Sequence, residues 1–219
     1  MIKAVLFDID GTLVDSNDLH VEAWHQIFAE SGHEIDRARI HGQIGKGGDN
    51  LVPALLPELG KPEQKTLADG HGRLFKQLFL GRVKPFPGAR ELLERVHAKG
   101  RNVVLASSAS QEELEHYINL LDVGNIVAAT TSIDDVKTSK PAPDIFAVAL
   151  RKAGVEADKA IAVGDSPYDV RSAAKAGVST IALLSGGFDE AVLVEASAIG
   201  IYASTRDLLA QFETSRLAR

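Results

Sequence analysis

Five short runs of mainly apolar residues recur along the chain, at positions 2–7, 102–106, 126–129, 160–163 and 179–183. Runs of this length suit strands covered on both faces, although short buried helices read the same way. Between them, apolar residues return at helical spacing. Leu114, Ile118 and Leu121 form one stripe, and Ile145, Ala149 and Leu150 form part of another. Gly100, Gly154 and Gly177 stand where helices would stop, just before the next strand. Strand, helix, strand at short intervals predicts an α/β fold, a Rossmann-like parallel sheet core with helices on both faces.

One stretch breaks this rhythm. From about residue 16 to residue 82 no strand pattern is found. Leu19, Ala23, Trp24, Ile27 and Phe28 share one helical face, with Ser16 placed to cap it and Gly32 to stop it. Leu67, Leu74, Phe75 and Leu78 predict a further long helix, and Lys84-Pro85-Phe86-Pro87-Gly88 reads as a linker back into the alternating pattern. The expectation is a core of residues 1–15 and 83–219 with a small α-helical cap domain, residues 16–82, inserted in the first strand-to-helix connection. The chain leaves and returns at the end of the first strand, so the insert is placed to act as a lid.

Composition narrows the function classes. Thirty acidic and 24 basic side chains leave a net charge of −6, with no Lys/Arg cluster of the kind a nucleic acid or an anionic membrane would require. The absence of cysteine excludes disulfides, thiolate metal sites and a cysteine nucleophile, and fits a reducing cytoplasm. Residues 1–8 lack the basic start and cleavage site of a signal peptide, and no uncharged apolar stretch approaches the ~20 residues of a membrane helix. A soluble cytoplasmic protein, monomer or homodimer, is the expectation.

The chemistry-bearing residues follow three of the five runs. Asp8 and Asp10 follow the first, Ser107 the second, and Asp165 and Asp169 the fourth. Open α/β sheets bind ligands at the carboxyl ends of their strands. Two carboxylates two apart in extended chain face one space, where they repel unless a cation lies between them. With Asp165 they make an oxygen-rich cluster suited to a hard ion such as Mg²⁺. Gly11-Thr12 permits a tight turn whose N–H groups could hold phosphate oxygens. Lys140, fixed by Pro141 and Pro143, could balance the acids and a phosphate. Each feature alone has a structural reading as well. The acids and serines would cap helices or sit in turns, and Lys140 would lie on the surface before a proline-started helix.

Taken together, four segments resemble the four motifs of the haloacid dehalogenase superfamily of phosphohydrolases. They are Phe7-Asp8-Ile9-Asp10-Gly11-Thr12-Leu13-Val14-Asp15-Ser16, Ala106-Ser107-Ser108, Ser139-Lys140-Pro141 and Gly164-Asp165-Ser166-Pro167-Tyr168-Asp169. The resemblance covers essentially the whole chain, and the helical insert is similar to the cap of the phosphoglycolate phosphatase and β-phosphoglucomutase group. It implies Asp8 as the nucleophile and Asp10 as general acid, then base. It implies that Asp8, the Asp10 backbone carbonyl and Asp165 hold Mg²⁺ with support from Asp169. Ser107, with Ser108, and Lys140 would bind the phosphoryl group of a small phosphorylated metabolite. An acid at position 10 argues for phosphate esters over dehalogenation.

The glycine-rich stretch Ile44-Gly45-Lys46-Gly47-Gly48-Asp49-Asn50 resembles the cap's substrate loop, with Lys46 toward the substrate or else a solvent-exposed lysine. His20 matches a histidine of β-phosphoglucomutases and would assist proton transfer; its other reading is an exposed helix position. Trp24 is expected in the core of the helical insert. A mutase using the same residues is the second reading, and a non-catalytic binder of a phosphometabolite the third.

Overall fold

The computed structural model describes residues 1–218. The first part of the chain forms β1 (Ala4–Phe7), β2 (Val14–Asp15), α1 (Asn17–Glu30), α2 (Arg37–His41), α3 (Gly48–Leu55) and α4 (Lys61–Leu78). Then come β3 (Lys84–Pro85), α5 (Ala89–Ala98), β4 (Asn102–Ala106), α6 (Gln111–Leu121), β5 (Val127–Thr131) and α7 (Asp144–Ala153). The last elements are β6 (Ala160–Gly164), α8 (Pro167–Lys175), β7 (Ser179–Leu183), α9 (Glu190–Glu195), β8 (Gly200–Tyr202) and α10 (Thr205–Ala210).

Six of the strands make one parallel sheet in the order β5-β4-β1-β6-β7-β8. Each face is filled by alternate residues, as a pleated strand requires. Val5, Phe7, Val103 and Leu105 pack with Leu92 of α5 and Leu114 and Tyr117 of α6. Ala4, Leu6, Val104 and Ala106 pack with Ile145 and Phe146 of α7 on the other side. In register, Phe7 lies between Leu105 and Val163. The residues following β1, β4 and β6 therefore emerge side by side, where the strand order turns back on itself and α/β sheets open a crevice.

Between β2 and β3, helices α1–α4 enclose a separate apolar cluster that includes Trp24, Phe28, Ile40, Leu51 and Leu67. The chain enters and leaves this segment through an antiparallel ribbon in which Val14 pairs with Pro85 and Asp15 with Lys84. Residues read from sequence as a plain linker thus form β3. The sequence pattern also passed over β8, whose three residues are only half-buried. β5 runs on to Thr131, because threonine is at home in a strand although it breaks an apolar run.

Candidate active site

The site begins at the turn after β1. Asp8 N–H donates to the Val163 carbonyl at 2.9 Å, and the Ile9 carbonyl accepts from Thr12 at 3.1 Å and Leu13 at 2.7 Å. Gly11 sits at φ +73°, and a Cβ there would lie 2.3 Å from both Asn17 Nδ2 and Asp165 Oδ2. Only glycine satisfies both the left-handed backbone and the close approach. This turn corrects one expectation. The N–H groups of Gly11 and Thr12 are not free for a ligand, because Gly11 donates to Val14 and Thr12 to Ile9. Their contribution is the shape of the turn and the Thr12 hydroxyl, which lies 3.1 Å from Asp8 Oδ2 and 2.9 Å from Asp165 Oδ1.

Asp8, Asp165 and Asp169 converge with one oxygen each within 4.8 Å of one another, all three buried. The Lys140 ammonium, fully buried, pairs with Asp8 and lies 2.7 Å from Asp169 Oδ1 and 3.2 Å from the Ala106 carbonyl. The surface reading of Lys140 is thereby excluded. Asp169 also completes a capping box with Ser166 at the start of α8, its Oδ2 accepting from Ser166 N–H at 3.0 Å. Capping and clustering are compatible because they use different oxygens. Asn17 donates to Asp165 Oδ2 at 3.0 Å and to the Gly186 carbonyl at 3.1 Å.

Charge does not balance inside this cluster. Burial, the Asp169 charge and, further off, Asp10 push Asp8 up to about 7 in spite of Lys140. Burial, Asp169 and Asp8 likewise hold Asp165 well above its usual range. Burial would lower Lys140, but Asp169 and Asp8 together raise it, so it stays charged. Three carboxylates against one ammonium leave room for a cation. An all-oxygen, cysteine-free donor set fits a hard divalent ion such as Mg²⁺.

Asp10 lies in different surroundings. Its Oδ1 accepts from Ser16 Oγ at 2.6 Å, Tyr117 Oη at 2.9 Å and His20 Nε2 at 3.2 Å. Burial alone would raise Asp10, but the His20, Ser16 and Tyr117 hydrogen bonds hold it below its usual value. Ser16 stands at the N-cap of α1 without making a cap bond; its hydroxyl donates to the Asp10 carboxylate. His20 is not on an exposed face. Its ring stacks on Phe75 at 3.7 Å, and its Nδ1 lies 3.3 Å from Nε2 of His71, which stacks on Trp24 at 3.9 Å. Burial and the His20 charge hold His71 well below the usual histidine range.

Asp8 and Asp10 face a cavity of about 210 Å³ roofed by the helical segment. Ser108 lines it, and its buried hydroxyl has no partner, leaving a free donor in the cavity wall. The fully buried Ser107 hydroxyl accepts from Ala109 N–H at 3.0 Å, so its own proton stays available. Lys46 reaches the cavity wall while bonding Gln43 and lying 4.6 Å over the Tyr168 ring. Trp24, buried as expected, also forms part of the wall.

The helical segment is fastened to the sheet at several points. Ser139 N–H donates to Asp49 Oδ2 at 3.0 Å, Asn50 Nδ2 donates to the Ser139 carbonyl at 3.0 Å, and Gly47 N–H donates to Ser139 Oγ at 3.0 Å. These bonds hold the residue just before Lys140. His41 Nε2 donates to the Gly186 carbonyl at 3.0 Å, and Tyr168 bonds the Gly42 carbonyl. Asn17, His71 and Tyr117 were not foreseen from the sequence, and Asp49 and Asn50 lie in the glycine-rich stretch named there but fasten it to Ser139. His71 and Tyr117 carried a signal, since each puts a polar tip into an apolar helical stripe, beside Leu67 and Leu74 in one case and Leu114 and Leu121 in the other.

A parallel sheet with a buried carboxylate and lysine cluster at its switch point, under a helical roof, defines a phosphoryl-handling class of α/β enzyme. The chain belongs to the haloacid dehalogenase-like hydrolase family, which it matches over residues 5–183. Within that family it falls in the phosphoglycolate phosphatase and β-phosphoglucomutase-like group, and it is a phosphatase. It is 30% identical to a phosphorylated carbohydrates phosphatase of Thermotoga maritima, covering 91% of this chain and 94% of that one. It is 28% identical to a phosphoglycolate phosphatase of Rhodospirillum rubrum, covering 92% and 87%. A hydrolase structure from Pseudomonas syringae superposes with a TM-score of 0.90 at 29% identity, covering 97% and 98%. No helix among the described residues is long and apolar enough to cross a membrane.

Proposed function

We propose that this enzyme is a Mg²⁺-dependent phosphatase that hydrolyses a small phosphorylated metabolite, a sugar phosphate or a phosphoglycolate-like acid, through a phosphoryl group carried on Asp8. The observation that carries the reading is the contrast within one cavity: Asp8 is paired with Lys140 among buried carboxylates, while Asp10 is held by three donors two residues away. Asp8 attacks phosphorus as the carboxylate, and Asp10, carrying on Oδ2 the proton it took from water in the preceding turnover, gives it to the leaving oxygen. Asp10 then takes a proton from the water that attacks the aspartyl-phosphate. Lys140, Ser107 and Ser108 bind the phosphoryl oxygens as charge spreads over them. Asp8, Asp165 and Asp169, with the Asp10 backbone carbonyl, would hold Mg²⁺, which supplies charge neutralisation and orientation of the phosphoryl group.

Helices α1–α4, within residues 16–82, act as the cap of a core made of residues 1–15 and 83–219, and the protein works in the cytoplasm. Size and charge bear on the substrate. A cavity of about 210 Å³ matches the volume of roughly seven liquid waters, which suits one phosphoryl group on a short carbon skeleton. Among the described residues lining it, Lys46 is the one lysine or arginine. The relatives named as phosphatases favour release to water over transfer to a sugar.

The test is a panel of small phosphate monoesters assayed for inorganic phosphate. Release is expected to need Mg²⁺ and to fall by at least roughly 10³-fold in Asp8→Asn. Undiminished release by the variant overturns the reading, and transfer to a sugar acceptor instead of water favours the mutase.

A further inference from the structure

Asp10 is held from two sides, and the two sides belong to different parts of the molecule. Ser16 and His20 stand at the start of the helical segment, and His20 is braced by His71 and by Phe75, the α4 residue that reaches into the sheet's core cluster. Tyr117 comes from α6, which is packed in the sheet's own core through Leu114 and Leu121 and capped by Ser110 and Glu113. The tyrosine is completely buried, and its hydroxyl bonds Asp10 Oδ1 at 2.9 Å. Burial and the neighbouring Asp10 charge hold its phenol well above the usual range, so it remains a donor. All three donors converge on Oδ1, and no hydrogen bond to Oδ2 is made among the described residues. A carboxylate whose one oxygen already accepts three bonds takes up its proton on the other.

We propose that Tyr117 is a positioning residue that keeps Asp10 in its working orientation from the core side, so that water can discharge the phosphoryl group from Asp8 without the His20 contact. This rests on the phosphatase reading given above. When the helical segment lifts to let the alcohol product leave, the His20 bond is withdrawn with α1 and the Ser16 bond at its N-cap is loosened, while the Tyr117 bond stays. In the step it serves, the water oxygen bonds to phosphorus and the bond from phosphorus to the Asp8 carboxylate oxygen breaks. The electron pair stays on Asp8, and the water proton passes to Asp10 Oδ2. A core-anchored base thus completes hydrolysis in an enzyme whose cap has already opened. An acid held only by the cap would instead leave the phosphoryl group waiting for the next alcohol.

The experiment follows decay of the phosphorylated enzyme. Wild type, Tyr117→Phe and His20→Ala are charged with p-nitrophenyl phosphate and Mg²⁺, chased, acid-quenched at intervals and read by intact mass. The decay rate is expected to fall about 10-fold in Tyr117→Phe, a fraction of what acid–base catalysis contributes, and by a smaller factor in His20→Ala, which loses only the contact on the side of the helical segment. Thermal melting checks that the phenylalanine, which removes only the hydroxyl, leaves the fold intact. An unchanged decay rate in Tyr117→Phe, or an equal fall in both variants, overturns the proposal while leaving the phosphatase reading in place. Absence of any phosphorylated wild-type enzyme under conditions that give a burst of p-nitrophenol overturns both.

Discussion

Asp8 and Asp10 leave the same strand two residues apart, yet their surroundings are opposite in kind. Asp8 sits among Asp165, Asp169 and Lys140, where burial and like charge push it up to about 7. Asp10 meets hydroxyl and imidazole donors, which hold it below its usual value against the cost of burial. One neighbourhood has unbalanced negative charge and suits a cation and an electrophilic phosphorus. The other is fully supplied with donors on one oxygen and suits the movement of a proton from the second. A cation beside Asp8 would favour its ionised, nucleophilic form, and that sets the division of labour between the two carboxylates. Here the division follows the parts of the fold: sheet loops and α8 surround Asp8, while α1 and α6 reach Asp10.

The largest effect that would sharpen this contrast concerns the leaving group. Asp10→Asn is expected to lower kcat on an alkyl phosphate by roughly 10²- to 10⁴-fold. With p-nitrophenyl phosphate the loss in release of the phenol should be much smaller, because that leaving group needs little protonation. Burst kinetics on both esters check this, and equal losses would remove the acid role from Asp10.

Next in size is a dependence of stability on pH and metal. A folded-state value of about 7 for Asp8, against 3.8 in the unfolded chain, means the folded chain binds more protons than the unfolded chain across that window. Stability without metal is therefore full below pH 3.8 as far as this group is concerned and declines as pH rises towards 7. Asp165 adds in the same direction. Saturating Mg²⁺ should raise Tm by about 5–10 °C at about pH 7.5 and by less at about pH 5. Scanning calorimetry with and without metal checks it, and an equal rise at both pH values would break the account of the cluster.

A smaller change is expected where the helical segment is fastened. Asp49→Ala removes the carboxylate that bonds Ser139, next to Lys140. KM should rise about threefold to tenfold, roughly 1 kcal/mol, with kcat little altered, in steady-state assays. A fall in kcat of the same size would show that the bond orders Lys140 instead of holding the roof.

The sequence made the Asp8 side of this comparison readable and the Asp10 side only partly so. Asp8, Ser107 and Asp165 each follow an apolar strand directly, so local pattern plus the rule for parallel sheets brings them to one crevice. Lys140 and Asp169 were legible through their motifs. The donors to Asp10 come from positions 16, 20 and 117, and the last of these is set by how α6 packs, which no local spacing records. The same holds for Asp49 and Ser139, 90 residues apart. The Gly11-Thr12 expectation failed for a related reason: a tight turn spends its own N–H groups internally before a ligand can use them.

Everything here depends on phosphorus becoming bonded to the Asp8 carboxylate. Mixing the enzyme with Mg²⁺ and a hydrolysed ester, quenching in acid within the first turnover and mapping the peptides by mass measures this directly. The account predicts one added phosphoryl group, located on Asp8 and absent from Asp8→Asn. A phosphoryl group on any other residue, or an enzyme that turns over while never carrying one, would contradict it.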